Sequence, residues 1–184
     1  MTPIFLSRPN PFTYEQDFFL EKLISYLNNN GLKNCTLTSK DYNPYDSLTC
    51  LNEIIKRCYG MIIVAFGQVY MEKGISKKGA IRDDKFFASL ENPMDNTWIT
   101  SPFCHIEGAL GFNHGLPLIT IKQEDIKIDG ILKKDSHIIT GPSFSLNSYK
   151  KIEQYFKSNE FIKSFNIWKQ RIDEFYNFIN NNTY

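Results

Sequence analysis

The chain has 184 residues, a net charge of +1, 42% hydrophobic residues and 15% aromatic ones. That is enough apolar material for one sizeable core, and so even a charge balance argues against a nucleic-acid or anionic-membrane partner. No apolar run reaches membrane-spanning length, and Met1-Thr2-Pro3 leads straight into a short apolar segment, so neither a spanning helix nor a leader is expected. Cys35, Cys50, Cys58 and Cys104 have neither metal-ligand nor disulfide-framework spacing. They read as the free thiols of a cytoplasmic protein.

Pro3 to Ser7 reads as a first strand, and Arg8-Pro9-Asn10-Pro11 after it forbids helix. Thr13 then caps a helix, with Gln16 completing a capping box, and Phe18, Phe19, Leu20, Leu23, Ile24 and Leu27 form its apolar face. Lys33 to Thr38 is a second strand, too polar for a central position. Asp41 to Asp46 is rich in turn residues. Asp46 or Ser47 caps a helix through Leu51, Ile54, Ile55 and Cys58, stopped at Gly60. Met61 to Phe66 is continuously apolar, as a central parallel strand covered on both faces must be.

The stretch from Gln68 to Asn96 is polar, with a short helix predicted around Asp83 to Leu90. A connection of that length reads as a lid or a binding insertion. Ser101 and Pro102 then open a helix that Gly115 closes. Leu118 to Ile121 is a strand, Asp129 to Leu132 a turn or short helix, and His137 to Thr140 a last strand. Ser148 to Asn159 and Phe161 to Phe178 are C-terminal helices. Strands alternating with helices in this way predict an α/β fold with a three-layer, flavodoxin-like parallel sheet. The whole chain reads as one domain, with its core over about 3–141, an insertion over about 68–97 and helices over about 148–182.

In such sheets a ligand sits beyond the carboxyl ends of the strands. That edge receives Ser7, Arg8, Pro9 and Asn10, the loop ending at Asp46, Gly67 to Tyr70, and the start of the helix after Ser101. Inside that otherwise apolar helix stands one carboxylate, Glu107, which needs a partner or a purpose if buried. The competing reading is a carboxylate on a solvent face. Cys104 and His105 are adjacent in the helix and so point about 100° apart, which argues against a thiol–imidazole pair. His114, just before Gly115, reads as a complement to the helix C-terminus.

The order of these motifs resembles a TIR domain. Phe5-Leu6-Ser7 is similar to the end of the first TIR strand, and Asp17 to Leu23 to the first TIR helix. Gly67-Gln68-Val69-Tyr70 resembles a Ser-x-x-Tyr element, with Gly67 in place of the Ser. Ser101-Pro102-Phe103-Cys104-His105-Ile106-Glu107 resembles Ser-x-Trp-Cys-x-x-Glu, with Phe103 in place of the Trp. The helix also resembles the nucleophile helix of nucleoside 2-deoxyribosyltransferases. The resemblance implies that Glu107 is a catalytic residue cleaving the N-glycosidic bond of NAD, in an antiviral defence role.

On that reading NAD is a substrate, and no cofactor or metal is needed. Cleaving its nicotinamide–ribose bond expels a neutral base from a pyridinium, so one ionised carboxylate suffices. A nucleoside with a neutral base needs a proton donor as well. Arg8 is the candidate for a phosphate, or else an ordinary surface arginine. Tyr70, Trp98 and Phe103 would stack on rings, or else pack in the core. Ser7 and Ser101 would bond a ribose, although an N-cap role is sufficient for Ser101. Pro9, Asn10, Asp46 and Gly67 complete the candidate substrate-binding set by position. Two other readings stand beside this one: a deoxyribosyltransferase-like nucleoside enzyme, and a non-catalytic nucleotide sensor. A partner effector protein and self-association are left open.

Overall fold

The computed structural model describes residues 1–37, 46–86 and 90–181. Its elements in chain order are β1 (Thr2–Ser7), α1 (Tyr14–Asn29), β2 (Leu32–Cys35), α2 (Ser47–Ile55) and β3 (Met61–Ala65). Four short strands follow, β4 (Val69–Met71), β5 (Ile75–Ser76), β6 (Asn92–Pro93) and β7 (Thr97–Ile99). Then come α3 (Pro102–Asn113), β8 (Leu118–Lys122), β9 (Ile138–Thr140), α4 (Tyr149–Lys157) and α5 (Asn159–Asn181). A 3-10 turn at Gly130–Leu132 lies between β8 and β9.

The main sheet has the order β2-β1-β3-β8-β9, and every neighbouring pair is parallel. This is the flavodoxin-like order, as the alternation of elements predicts. β3 is buried along its whole length in the sheet centre, and the more polar β2 takes an edge. The two-residue period of a strand sorts β1 between two cores. Ile4 and Leu6 join Phe19, Leu23 and Leu27 of α1 and Phe161, Phe165 and Trp168 of α5 on one face. Phe5 joins Leu51 and Ile55 of α2 and Cys104 of α3 on the other. Ser7, two residues after Phe5, therefore points to the α2–α3 face. β1 and β3 are neighbours, and the main-sheet crossovers from their carboxyl ends run to opposite sides, toward β2 and toward β8, so the topological switch point lies between them.

Local chemistry explains most element ends. Thr13 Oγ1 accepts the Gln16 N–H at 3.2 Å, while Gln16 Oε1 reaches back to the Phe12 N–H at 3.0 Å. Gly115, at φ +69°, closes α3 in a conformation that favours glycine.

Several expectations need correction. α2 ends at Ile55, not Cys58, and Asp46 makes no side-chain cap bond to it. β2 ends at Cys35; the expected end at Thr38 and the Asp41–Tyr45 turn lie outside the described residues. Within the Gln68–Asn96 stretch β5 pairs antiparallel with β6, and β4 pairs antiparallel with β7 just beyond it, which gives the described residues the form of a two-tier ribbon. Asp83 to Phe86 is a turn closed by the Phe86 N–H on the Asp83 carbonyl at 2.9 Å, not a helix, and residues 87–89 lie outside the described set. His114 is the C-cap residue of α3, and its ring Nε2 lies 2.7 Å from Asn52 Oδ1 of α2.

Candidate functional site

Helix α3 packs on the sheet through an unusual face. Its buried residues are Cys104, Glu107, Gly108 and Gly111, spaced as one helical stripe, while Phe103, Ile106 and Phe112 are exposed. The glycines permit the close approach. A Cβ on Gly108 would lie 2.6 Å from Ile131 Cγ1 and 2.9 Å from Ile63 Cδ1, and one on Gly111 would lie 2.6 Å from Met61 Cε. Gly108→Val should therefore push α3 off the sheet and destabilise the protein by roughly 1–3 kcal/mol, as overpacking does. Urea denaturation measures this; unchanged stability would mean the contact relaxes freely.

The close approach brings Glu107 against the end of β1. Ser7 Oγ donates to Glu107 Oε2 at 2.5 Å, with Ser7 fully buried and Glu107 only 9% exposed. No hydrogen-bond partner for the other carboxylate oxygen exists among the described residues. Burial pushes the Glu107 carboxyl up to about 7; the Ser7 hydrogen bond and the positive charge of Arg8 pull the other way. Beside it Cys104 is wholly buried, close to Thr100 Oγ1 (3.9 Å), and its thiol is pushed up to about 12, first by burial and then by the Glu107 charge. Cys104 is thus an inert thiol rather than a nucleophile.

Arg8 is held just outside by its own loop. Nη1 donates to Asn10 Oδ1 at 2.9 Å and to the Pro9 carbonyl at 3.3 Å. Asn10 is exposed and Pro9 buried. Across the switch point, Gly67 follows β3, and its N–H donates to Gln123 Oε1 at 3.1 Å. The Trp98 indole lies over it so closely that a Cβ there would fall 2.5 Å from Cε3. Tyr70 tilts against Trp98 with ring centroids 4.9 Å apart, and its hydroxyl donates to Asn96 Oδ1 at 3.0 Å. The base of the ribbon is thus anchored at the carboxyl edge of β3.

The structure brings some of the residues expected at the site together and leaves others apart. Ser7, Arg8 and Glu107 come together, as do Gly67, Tyr70 and Trp98 at the ribbon base. Ser101 serves as N-cap, accepting the Phe103 N–H at 3.2 Å, and Phe103 is 47% exposed on the first turn of α3. Asp46 is exposed at the start of α2, with no bond tying it to Glu107. Ser7, expected to bond a ribose, is fully buried, and its hydroxyl proton is directed at Glu107. Residue reasoning did not single out Thr100, Gln123, Gly108 or Gly111. Only the Gly108-x-x-Gly111 spacing, which continues the Cys104–Glu107 stripe, carried a readable signal. Among the described residues no cluster of His, Cys, Asp and Glu is placed to hold a metal.

No family model matches the sequence, and no curated protein does. Among solved structures, the chain is similar to the Clostridium botulinum CMP N-glycosidase BcmB. The two share 18% identity with a TM-score of 0.48, over 85% of this chain and 97% of that one. Among the described residues no helix is long and apolar enough to cross a membrane.

Proposed function

We propose that the protein is a nucleotide N-glycosidase in which Glu107 acts on the anomeric carbon of a bound ribose. One observation carries the reading: a buried carboxylate at the switch point, with one oxygen held by Ser7 and the other left without a protein partner among the described residues. A carboxylate so held is preorganised to stabilise, or to capture, an oxocarbenium ion. With NAD, which the TIR-like order of motifs favours, the C1′–N bond breaks and its electron pair neutralises the pyridinium. Nicotinamide leaves without needing a proton. Water then completes hydrolysis at C1′ and releases one proton. Arg8 lies where it can offset phosphate charge, and Tyr70 and Trp98 offer ring surfaces near the same edge. On this reading the protein is a TIR-like enzyme of antiviral defence, acting alone or with an effector.

A second substrate class has its own support. A carboxyl pushed up to about 7 keeps its proton in part of the population at neutral pH, and so can protonate a neutral nucleobase as it leaves. The purified protein should be incubated with NAD, with 5′-nucleotides and with nucleosides, and the products read by mass spectrometry. Nicotinamide release supports the first substrate. A free nucleobase from the others, with NAD untouched, supports the second. No turnover of any of them, alone or with candidate effectors, overturns both and leaves a nucleotide sensor.

A further inference from the structure

At the opposite, amino-terminal edge of the sheet lies a cavity of about 380 Å³ unrelated to Glu107. Its floor is Leu116, Pro117 and Leu118, where the chain enters β8, and its walls are Phe112 at the end of α3, His137 before β9 and Arg171 of α5. Leu116 and Leu118 are buried and close its bottom; Phe112 is 48% exposed and stands edge-on to the His137 ring, centroids 6.1 Å apart at 76°. α5 is fixed there by Trp168 Nε1 donating to the Pro117 carbonyl at 2.9 Å and by Ile172 packed on Gly60.

Arg171 is half-buried at the rim of this apolar space. A guanidinium has five N–H donors in a planar fork, and this one uses Nη1 on the His137 carbonyl at 3.3 Å. Among the described residues no carboxylate lies within ion-pair distance of it. Asp135, close in sequence, instead accepts the His137 backbone N–H at 2.7 Å. The combination of an aromatic wall, an aliphatic floor and one unneutralised fork matches one ligand chemistry. We propose that this cavity binds a small aromatic carboxylate, its ring against Phe112 and the leucines and its anion bidentate on Arg171. The guanidinium donors left over from the His137 carbonyl supply the specificity for charge, and the exposed Phe112 ring supplies the apolar contact.

The test is a titration of isotope-labelled protein with sodium benzoate, and with benzyl alcohol as a neutral control carrying the same ring, followed by amide chemical shifts. Benzoate should give saturable shifts at Gly115, Leu118 and His137, with benzyl alcohol at least tenfold weaker. Arg171→Gln should bring benzoate down to the level of the alcohol, and Phe112→Ala should weaken both probes several-fold. Thermal melts confirm that each variant is folded; should one fail to fold, the other variant and the benzoate–alcohol ratio still decide. Absence of saturable shifts, equal affinity for the two probes, shifts confined to the Glu107 edge, or full affinity in both folded variants would each overturn the proposal.

Discussion

Glu107→Gln should abolish N-glycosidic cleavage and at the same time stabilise the protein above neutral pH. The activity loss follows from charge: an amide of the same shape still accepts the Ser7 hydrogen bond, but carries no negative charge to face an oxocarbenium ion. A loss of at least a thousandfold is expected, on the order of 4 kcal/mol in the barrier. The stability gain follows from burial. The carboxyl is pushed up from 4.5 to about 7 in the folded protein. Below 4.5 it is protonated in folded and unfolded chains alike and costs nothing. Between 4.5 and 7 the unfolded chain gives up its proton first, so stability falls as pH rises, and above 7 the full penalty of about 3 kcal/mol is present. Glutamine has no such penalty. Denaturation of the two proteins at pH 4 and pH 8 should show similar stabilities at the first and a more stable variant at the second. Cleavage near the wild-type rate in Glu107→Gln would overturn the assignment of Glu107. A variant less stable at pH 8 would mean that the carboxylate holds α3 to β1 as a structural tie.

The position of Glu107 in its helix was legible because the punctuation around it is strong: Ser101-Pro102 before, Gly115 after. Its burial was not. Periodicity assigns the core-facing side of a helix to its large apolar residues, and in α3 those residues, Phe103, Ile106 and Phe112, face outward. The fully buried stripe consists of two glycines, a cysteine and the acid, with Leu110 half-buried beside it, and only the packing against Ile63, Ile131 and Met61 identifies it. The central place of β3 was legible from the run Met61 to Phe66, whose continuous apolar character suits a parallel strand covered on both faces. The ribbon was not, for a physical reason: strands of two or three residues are too short to show a two-residue period. Lys77 at φ +55° adopts a turn that its residue type scarcely announces, whereas Asn96 at φ +50° is of a type that favours it. Ser7 was legible as a strand-end residue, but its partner is 100 positions away, and only the register of β1 beneath α3 assigns its hydroxyl to the carboxylate.

The pH dependence of the chemical step should separate the two substrate classes and expose the role of Ser7. With NAD the step needs Glu107 ionised and nothing protonated. Its single-turnover rate should rise about tenfold per pH unit on the acid side and stay flat through neutral pH and above. The pyridinium charge of bound NAD favours the ionised carboxylate, so the midpoint should lie below that of the free protein. With a neutral-base substrate the departing base needs a proton, and the rate should instead fall on the alkaline side. Ser7→Ala removes the hydrogen bond that favours the charged carboxylate, so the midpoint with NAD should move to higher pH. The plateau should drop by roughly tenfold, the worth of a hydrogen bond to a charged group. Ser7→Thr, which keeps the hydroxyl, should restore the midpoint. A serine that merely packs would lower the rate equally at every pH and leave the midpoint where it was. A bell-shaped profile with NAD, from protein that stays folded across the range, would require a second titrating group in the step and exclude catalysis by Glu107 alone.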